Sequence, residues 1–325
     1  MKAIRAYEFG GPEVLKLEDV PDPVAGPGQA VVKLQYAGIN FGDTPQFRGT
    51  YAFAKVPMTP GSEGAGTVVS VGEGVTSLEV GQRVATGGDF GTCAEMIAVN
   101  ADRLIPLPAG LDSKQAAAVL MQGRTAHYLS RDAYPIQEGD KVLIHAGAGG
   151  VGSLLIQLAK RAGAFVFTTV STDVKADFAR EQGADHVINY SNEDFAEVVL
   201  EATNGKGVEA VYDSVGKTTF EGSLKCTARR GHLVMAGAAS GPPPLVDFSQ
   251  QAMRARGSVY ISTHFGADYR RTPEEQVGRA YDLFRWLQEG ELRTHIHREF
   301  SLADAADAYR EIEDRKTMGK ILLKL

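Results

Sequence analysis

The segment HAGAGGVG, residues 145–152, has the residue types and spacing of a phosphate-binding turn. Its glycines fit the pattern G-x-G-x-x-G, and they follow an apolar run and precede an amphipathic stretch. In such a turn the first glycine permits the tight bend, the second lets the backbone approach a pyrophosphate, and the last allows close helix–strand packing. The N-terminus of the following helix then offers N–H groups and a positive dipole end to the phosphates. We therefore predict dinucleotide binding, rather than a purely structural turn, at Gly147, Gly149, Gly150, Val151 and Gly152.

The residues that follow the next apolar run, FVFTTV, indicate which dinucleotide is bound. A site for NAD usually places an Asp or Glu there to accept hydrogen bonds from the ribose 2′-hydroxyl, whereas this chain has Ser171. A hydroxyl does not repel a 2′-phosphate, and Lys175 and Arg180 lie close enough in sequence to pair with it. We predict NADPH as the cofactor. In the alternative interpretation Asp173 is the ribose acid and Lys175 is a solvated helix residue.

The elements around these residues indicate two domains. From residue 141 to residue 263, apolar runs alternate with helical stretches, which predicts a doubly wound parallel sheet. Up to about residue 120 short apolar runs alternate with glycine turns, which predicts a compact β-rich domain in the form of a partly open barrel. The stretch 113–133 has helical spacing, with Asp112 or Ser113 as its cap, and we interpret it as a hinge region. The closing run GKILLKL is expected to return to the first domain.

Composition and charge exclude several classes of protein. The 325 residues are 43% hydrophobic and 23% charged, which is ordinary for a globular protein. A net charge of −6 without a basic block disfavours nucleic-acid and membrane-surface partners. The two cysteines have no neighbouring metal ligands at zinc-site spacing, and no apolar run approaches the length of a membrane span. We expect a cytoplasmic protein with a small-molecule substrate.

Several motifs in combination resemble the zinc-independent quinone oxidoreductases, the zeta-crystallin-like branch of the medium-chain dehydrogenase/reductase superfamily. They are FGGPEVL, AGINFGD, GSEGAGTVVSVGEGV, GDKVLIHAGAGGVG, GADHVINY, VYDSVG, RRGHLVMAG and MGKILL. The resemblance implies an α/β fold with a GroES-like catalytic domain over 1–121, completed by 266–325, and a Rossmann dinucleotide-binding domain over 122–265. It also implies a homodimer or homotetramer joined through the Rossmann sheet edge, here HLVMAG and GSVYIST.

The resemblance also bears on zinc. Relatives with catalytic zinc carry ligands at the positions of Asn40 and Ser62 and near Met121, and none of these three residues is a usual zinc ligand. Without a metal to polarise an alcohol, reduction of an already electrophilic acceptor is favoured. We therefore predict an NADPH-dependent quinone reductase. The alternatives are an NADPH-dependent enone or 2-alkenal double-bond reductase, and a non-catalytic NADPH-binding protein of the crystallin-like or RNA-associated kind.

By the same resemblance, Asn40 and Tyr51 are the candidate catalytic residues. Asn40 would lie beside the nicotinamide and donate a hydrogen bond to the acceptor, and Tyr51 would protonate an enolate from a loop over the pocket. Their structural alternatives are a turn residue and an exposed loop tyrosine. Pro45 stands where some relatives have a further tyrosine, which changes the expected pocket wall.

The remaining cofactor-binding residues are carried over from the family position by position. Thr125 would bind the nicotinamide carboxamide, and Tyr190 would flank the 2′-phosphate together with Lys175. Ser214 and Gly216 would lie near the riboses, and Gly237, Thr263 and Lys320 would approach the nicotinamide end. Thr125 also has the alternative of a helix residue that bonds to its own backbone.

Other chemically suggestive residues have structural interpretations that we favour. We expect His295 and His297 to lie on a partly exposed strand, and His145 to be a hydrogen-bonded core residue. Trp286 is expected on the buried face of a helix, and Cys93 is expected to be a small buried filler.

Overall fold

The computed structural model describes residues 1–247, 249 and 257–325. Within this part the chain forms two compact units, which we call unit 1 and unit 2. Unit 1 comprises Met1–Arg124 and Arg270–Leu325, and unit 2 comprises Thr125–Tyr269. The sequence analysis placed these divisions at 121/122 and 265/266.

The described residues form fifteen strands and eight α-helices. The strands are β1 (Lys2–Arg5), β2 (Lys16–Asp19), β3 (Gln29–Ile39), β4 (Glu63–Val71), β5 (Arg83–Gly87), β6 (Met96–Asn100), β7 (Ile105–Pro106), β8 (Lys141–Ile144), β9 (Phe165–Val170), β10 (His186–Asn189), β11 (Val208–Asp213), β12 (Thr227–Met235), β13 (Tyr260–Thr263), β14 (Ile296–Ser301) and β15 (Lys320–Lys324). The helices are α1 (Thr44–Arg48), α2 (Ser113–Tyr128), α3 (Gly150–Arg161), α4 (Asp173–Glu181), α5 (Phe195–Ala202), α6 (Phe220–Cys226), α7 (Pro273–Gln288) and α8 (Ala305–Glu313). Short 3-10 turns occur at 12–14, 41–43, 101–103 and 302–304, and the last turn of α2 continues as a π-helical turn over 129–133.

The main sheet of unit 1 is built around the long strand β3. Its strand order is β14–β15–β3–β4–β5–β7, and β6 also pairs with β3. The pairing of β14 with β15 is parallel and the other pairings in this sheet are antiparallel. The C-terminal strand β15 therefore lies next to β3 from the N-terminal part of the chain, as the closing apolar run predicted.

The core of unit 1 contains buried side chains from both ends of the chain. One cluster of buried side chains includes Ile39, Phe47, Tyr309 and Ile321, so the N-terminal and C-terminal segments share a core. At Gly66 a Cβ atom would lie 2.0 Å from the carbonyl oxygen of Lys33, so the close approach of β4 to β3 requires glycine there.

Unit 2 contains a six-stranded sheet with the order β10–β9–β8–β11–β12–β13, and every pairing in it is parallel. The chain runs outward from β8 through β9 to β10 and then resumes on the other side of β8, so the order reverses between β8 and β11. This is the arrangement of a dinucleotide-binding doubly wound sheet. The predicted fold class, a β-rich domain plus a doubly wound parallel sheet, is confirmed.

The helix starts follow local capping chemistry. The Asp112 carboxylate accepts a hydrogen bond from the Gln115 backbone N–H at 2.7 Å, so Asp112 rather than Ser113 caps α2. Thr172 and Asp194 cap α4 and α5 in the same way. The segment TFEGSLKCTA, residues 219–228, has the composition of a helix, but α6 ends at Cys226 because Thr227 already pairs with Val208 in the sheet.

Candidate active site

The carboxyl ends of the unit 2 strands collect the residues predicted to bind the cofactor. Because all six strands are parallel, the residues that follow them lie along one edge of the sheet. This edge carries Gly147, Gly149, Gly150, Val151, Gly152, Ser171, Tyr190, Ser214, Gly216 and Gly237, with Thr263 as the last residue of β13. The parallel sheet thereby places residues that are more than 100 positions apart in the sequence along the same edge.

The glycine turn between β8 and α3 is tightly built. A Cβ atom on Gly152 would lie 2.3 Å from the Ala146 carbonyl oxygen, and one on Gly147 would lie 2.0 Å from Thr168 Oγ1. A Cβ atom on Gly149 would meet only the Ala146 carbonyl oxygen, at 3.2 Å. Gly149 is the N-cap of α3 without a side-chain cap, and the first turn of this helix has no acidic residue. The backbone N–H groups at this helix start are therefore suited to donate hydrogen bonds to a bound anion.

The corner formed by the ends of β9 and β10 contains Ser171, Lys175 and Tyr190. The Tyr190 backbone N–H donates to the Val170 carbonyl at 3.1 Å, which ties the two strand ends together. The Ser191 hydroxyl donates to the Ser171 carbonyl at 3.0 Å, and Lys175 lies in the first turn of α4. The ring of Tyr190 is 48% exposed, so it remains accessible.

Asp173, the alternative ribose acid, is the first residue of α4. Its carboxylate accepts a hydrogen bond from the Asn189 side-chain amide at 3.0 Å. Ser171, by contrast, directly follows the last residue of β9. The arrangement fits a 2′-phosphate better than a 2′-hydroxyl, since the residue at the strand end is neutral.

A buried hydrogen-bond chain fixes the strand ends at the switch point of unit 2. The Ser223 hydroxyl donates to Asp213 Oδ2 at 2.7 Å, and the His145 ring bridges Ser223 and Thr169 with distances of 2.9 Å on each nitrogen. Burial lowers the pKa of His145, so the ring is neutral and serves as the hydrogen-bonded core residue that was expected.

The other carboxylate oxygen of Asp213 shapes the turn that contains Ser214 and Gly216. Oδ1 accepts from the backbone N–H groups of Val215 at 2.8 Å and Gly216 at 2.9 Å. Gly216 has a φ of +89°, and Gly237 approaches closely enough that a Cβ atom would lie 2.9 Å from the Ser214 carbonyl oxygen. Thr125 lies on α2, away from these loops in sequence, as the first residue of unit 2.

In unit 1 the structure brings Asn40 and Lys320 together with Glu63, a residue that the sequence analysis did not single out. The Lys320 ammonium group donates to Glu63 Oε1 and, at 2.9 Å, to Asn40 Oδ1. Asn40 Nδ2 donates to Glu63 Oε1 at 2.7 Å, and the Met121 backbone N–H donates to Glu63 Oε2 at 2.8 Å. Lys320 and Glu63 are 1% and 0% exposed, so this is a buried ion pair.

Asn40 is the most accessible member of this group, at 8% exposure, and it directly follows β3. Its amide is held on both sides, since Nδ2 donates to Glu63 and Oδ1 accepts from Lys320. Its side chain is thus fixed in orientation.

A second buried set of polar groups lies beside it, around Asp43. The Asp43 carboxylate accepts from the Ser62 hydroxyl, from the Asn40 backbone N–H at 2.9 Å and from the Tyr309 hydroxyl at 3.4 Å. Burial raises the pKa of Asp43 to about 6, although the bond from Ser62 opposes the shift. Burial also raises the pKa of the Cys93 thiol to about 12, so Cys93 is the inert buried filler that was expected.

Tyr51, the second predicted catalytic residue, lies in an aromatic group instead. Its ring packs edge-on against Phe53 and Phe90 with centroid distances of 6.0 and 5.6 Å. Its hydroxyl makes no hydrogen bond with the described residues, and Phe53 and Phe90 are 77% and 52% exposed. Unit 1 therefore presents an accessible aromatic surface. The ring contacts described for it do not involve Asn40, Glu63 or Lys320.

Two arginines that the sequence analysis did not select also stand out in unit 1. Arg124 and Arg270 both donate to the Gly87 carbonyl oxygen, from Nη2 at 2.6 Å and from Nη1 at 2.9 Å. Asp43 and Glu63 lie within the family motifs AGINFGD and GSEGAGTVVSVGEGV, but they were given no role there, and none of the quoted motifs contains either arginine. The only available signal was a charged residue in otherwise apolar or glycine-rich surroundings.

Most of the residues that were not assigned to a site behave as expected, but His295 does not lie on the strand that was predicted for it. His297 pairs with Glu311 at 2.9 Å and belongs to β14, whereas His295 precedes that strand. Trp286 is buried on α7. Within residues 1–247, 249 and 257–325, no group of three or more His, Cys, Asp or Glu side chains could hold a metal ion. No helix in the same ranges is long and apolar enough to cross a membrane.

Comparison with known proteins agrees with this geometry. Residues 26–109 match the alcohol dehydrogenase GroES-like domain, and residues 150–277 match a family described as zinc-binding dehydrogenase. A quinone oxidoreductase of Pseudomonas aeruginosa is 42% identical over 323 residues, which cover 99% of both chains. A 2-haloacrylate reductase of a Burkholderia species is 38% identical and covers 98% of this chain and 97% of its own.

Solved structures agree as well. The quinone oxidoreductase of Escherichia coli in complex with NADPH has a TM-score of 0.96 at 36% identity, with 100% of both chains covered. Full-length similarity at this identity, together with the two matched domains, shows the family. The chain belongs to the quinone oxidoreductases of the medium-chain dehydrogenase/reductase superfamily.

Proposed function

We propose that this chain is an NADPH-dependent reductase of quinones or quinone-like acceptors that works without zinc. The observation that carries the proposal is the carboxyl edge of the unit 2 sheet, where the glycine turn and the Ser171, Lys175 and Tyr190 corner lie on neighbouring strand ends. The Escherichia coli relative was solved with NADPH, which supports the same cofactor here.

The residues present fit NADPH at both of its charged groups. The diphosphate is expected at the start of α3, where Gly147 and Gly152 leave no room for side chains and no side chain caps the helix. The 2′-phosphate is expected at Lys175 and Tyr190, with Ser171 as a neutral hydrogen-bonding neighbour. When bound, the nicotinamide supplies a hydride to the acceptor.

The chain's own residues have to orient the acceptor and stabilise the charge that develops on its oxygen. Reduction of a quinone consumes one hydride and one proton and yields a hydroquinone and NADP⁺. We propose that Asn40 and the Lys320 ammonium group stabilise the developing oxyanion, because Glu63 fixes both in place before the acceptor arrives. The half-buried ring of Tyr51 and the exposed rings of Phe53 and Phe90 offer an aromatic surface against which a quinone ring can pack.

Zinc independence is supported by what occupies the positions of the family's zinc ligands. Asn40 is hydrogen-bonded to Glu63 and Lys320, and the Ser62 hydroxyl donates to Asp43. The buried lysine ammonium group already supplies the positive charge beside Asn40. We expect full activity of the purified protein after dialysis against a chelator, and a loss that added zinc restores would contradict this part of the proposal.

A second candidate function is reduction of a conjugated carbon–carbon double bond. The 38% identical relative is named for its action on 2-haloacrylate, which is such a substrate. In this reaction the hydride adds to the β-carbon and a proton completes the α-carbon, so a proton donor is needed. We propose this role for the hydroxyl of Tyr51, which makes no hydrogen bond with the described residues.

A paired assay tests the proposed function. NADPH and NADH are compared with 1,4-benzoquinone, 9,10-phenanthrenequinone, methyl vinyl ketone and 2-chloroacrylate as acceptors. We expect NADPH preference and the highest kcat/KM with the quinones, whereas higher values with the last two acceptors would favour the double-bond reductase. Tight NADPH binding without turnover of any acceptor would favour the non-catalytic alternative.

The variant Lys175→Ala tests the cofactor assignment directly. Loss of a charge-assisted contact is expected to weaken NADPH binding about tenfold and to leave NADH binding nearly unchanged. Lys206→Ala is the matched control, since Lys206 is an exposed lysine that precedes β11, at the opposite edge of the sheet. Equal weakening of both cofactors would contradict the 2′-phosphate assignment.

We further propose that the protein is a cytoplasmic homodimer. The dimer is supported by the edge strand β13, which has an unpaired side in the described sheet where a second copy could pair. The cytoplasmic location is supported by the two cysteines, which are free thiols as is usual in a reducing compartment. Light scattering coupled to size-exclusion chromatography measures the mass in solution, and a monomer would contradict the dimer.

A further inference from the structure

The buried hydrogen-bond chain at the switch point of unit 2 connects two turns that are far apart in sequence. The Ala146 backbone N–H, at the start of the glycine turn, donates to Thr169 Oγ1 at 3.3 Å. Thr169 Oγ1 lies 2.9 Å from His145 Nδ1, and His145 Nε2 lies 2.9 Å from Ser223 Oγ. The Ser223 hydroxyl donates to Asp213 Oδ2 at 2.7 Å. The chain therefore runs from the glycine turn to the end of β11.

Each end of this chain holds a turn that was predicted to bind the cofactor. At the first end, the Gly147 backbone N–H also donates to the Thr169 carbonyl oxygen at 3.1 Å, and Ala146 has a φ of +55°. A positive φ is unfavourable for alanine, so the surroundings have to hold this conformation. At the other end, Asp213 Oδ1 accepts from two backbone N–H groups of the turn 214–216, at 2.8 and 2.9 Å.

Counting donors gives the positions of the hydrogens along the chain. A hydroxyl has one hydrogen, and that of Ser223 is donated to Asp213, so Ser223 Oγ accepts from His145 Nε2. Both ring nitrogens face hydroxyl groups rather than carboxylates, and burial lowers the pKa of His145, so the ring is neutral. A neutral ring has one N–H group, so Nδ1 accepts from the Thr169 hydroxyl. Every donor thus points from the glycine turn toward Asp213.

The chain is shielded from water along its length. The side chains of His145, Thr169, Ser223 and Asp213 are 0–2% exposed. In such surroundings hydrogen bonds in a series strengthen one another, and a polar group that loses its partner is costly. Loss of one link is therefore expected to weaken the links on either side of it.

We propose that His145 is a positioning residue that couples the two turns, so that the diphosphate site and the ribose site of the cofactor form together. This inference rests on the proposed cofactor site and goes beyond it, because it assigns to a buried ring the task of linking two separate parts of that site. The diphosphate is expected at the glycine turn, and the riboses are expected near Ser214 and Gly216. Through the ring, a displacement of one turn is transmitted to the other.

Heteronuclear NMR of isotope-labelled histidine rings tests the hydrogen positions in the wild-type protein. The chain has seven histidines, and the His145 signals are assigned by their loss in His145→Gln. We expect a neutral ring with its hydrogen on Nε2, both without cofactor and with NADPH. A hydrogen on Nδ1, or on both nitrogens, would overturn the proposal, because the donors would then no longer form one continuous series.

The variants Thr169→Val and Ser223→Ala test the coupling, since each removes one hydroxyl of the chain. Calorimetric titration with NADPH should show about fivefold weaker binding for each, as expected for the loss of one neutral hydrogen bond. The two hydroxyls bond to opposite nitrogens of the His145 ring. If the chain acts as one unit, the double variant should also bind about fivefold more weakly, whereas independent effects would give about 25-fold. The larger loss would overturn the proposal.

NADH provides a second comparison. The diphosphate and the nicotinamide ribose are common to both cofactors, so NADH binding should weaken by the same factor as NADPH binding. This distinguishes the chain from Lys175, whose replacement should affect NADPH alone. A loss confined to NADPH would contradict the coupling of the two turns.

Thr203→Val is the matched control. Thr203 is a buried threonine of the same unit whose hydroxyl donates to the Val199 carbonyl at 2.7 Å, between α5 and β11 at the opposite edge of the sheet. Its NADPH affinity should equal that of the wild type, and thermal unfolding shows whether each variant is folded. Unchanged affinity in folded Thr169→Val or Ser223→Ala, or an equal loss in Thr203→Val, would overturn the proposal.

The NMR measurement stands even if one of these variants does not fold. Absence of NADPH binding to the wild-type protein would contradict the proposed function as well, whereas wild-type binding that the variants leave unchanged contradicts this inference alone.

Discussion

Lys320 and Glu63 are the residues that most clearly show how unit 1 depends on individual buried charges. They form an ion pair that is 1% and 0% exposed and that joins the start of β15 to the start of β4. Removing one partner of such a pair leaves a buried charge without compensation, which costs more than the pair itself contributes.

We therefore expect Lys320→Met to lower the free energy of unfolding by about 3–5 kcal/mol. The double variant Lys320→Met, Glu63→Gln should recover part of this loss, since no uncompensated carboxylate remains. Urea denaturation of the two single variants and the double variant measures the coupling. Additive effects of the two substitutions would show that the ion pair is not coupled as the geometry indicates.

Asp43 makes the stability of the protein depend on pH. Because burial raises its pKa from 3.8 to about 6, the folded protein holds this proton more tightly than the unfolded chain does. The contribution of Asp43 to the free energy of unfolding should therefore fall as pH rises from about 4 to about 6, by about 1.4 kcal/mol for each unit of pKa shift. In Asp43→Asn this part of the pH dependence should disappear.

Denaturant titrations at several pH values measure this contribution. Asp102→Asn is the control, because Asp102 is an exposed carboxylate of the same unit. The control should keep the wild-type slope between pH 4 and pH 6. An unchanged slope in Asp43→Asn would assign the effect to another group.

At the residue scale, the sequence predicted those site residues that belong to local motifs. The glycine turn and Ser171 follow from spacing along the chain, because each lies at a fixed distance from a strand. The roles of Glu63 and Asp43 were not predicted, although both residues lie in quoted motifs, because these roles depend on partners that are far away in sequence, such as Lys320 for Glu63.

At the scale of elements, the turn into α3 separates the steric role of glycine from its role in binding. In Gly152→Ala the new Cβ atom would lie 2.3 Å from the Ala146 carbonyl oxygen, so we expect a loss of about 1–3 kcal/mol in stability. In Gly149→Ala the nearest atom is at 3.2 Å and φ is −76°, so the fold should be retained. Gly149→Ala should instead weaken NADPH binding about tenfold, because the methyl group obstructs the approach of the diphosphate.

Thermal unfolding and calorimetric titration with NADPH distinguish these two outcomes. Gly278→Ala is the control, because Gly278 also lacks a positive φ and a Cβ atom there would meet nothing within 4 Å, so neither stability nor NADPH affinity should fall. Unchanged NADPH affinity in a folded Gly149→Ala variant would contradict the assignment of the diphosphate to this turn.

Most helices and strands could be predicted because the spacing of apolar residues, the glycine turns and the helix caps are all visible in short stretches of sequence. Thr227 is an exception: the composition of TFEGSLKCTA favours helix, yet pairing with Val208 draws this residue into β12. Sheet pairing is a contact between residues that are far apart in sequence. A single sequence considered alone does not reveal such a contact.

At the scale of the whole molecule, unit 1 is assembled from two separate segments of the chain. β15 pairs with β3 from Ile321 opposite Ile39 to Lys324 opposite Tyr36, and Ile321, Leu322 and Leu323 are 0–1% exposed. Burial of such side chains contributes about 1.5–3 kcal/mol each, which together approaches the stability of a whole domain.

Deletion of residues 320–325 should therefore prevent unit 1 from folding. Limited proteolysis with mass spectrometry should then find rapid cleavage within 1–124. Lys324→Ala, which changes only an exposed side chain of the same strand, should remain as resistant as the wild type. Equal protease resistance of the truncated and full-length proteins would contradict this dependence on β15.

The pairing of β3 with β15 also sets an order of events on the ribosome. Strand β3 leaves the exit tunnel early, but its neighbour β15 is about 280 residues away, and at 5–20 residues per second it follows on the order of ten seconds or more later. During this delay one side of β3 is only partly covered, by β6. The nascent N-terminal segment is therefore expected to need protection by chaperones until translation has delivered its last strand.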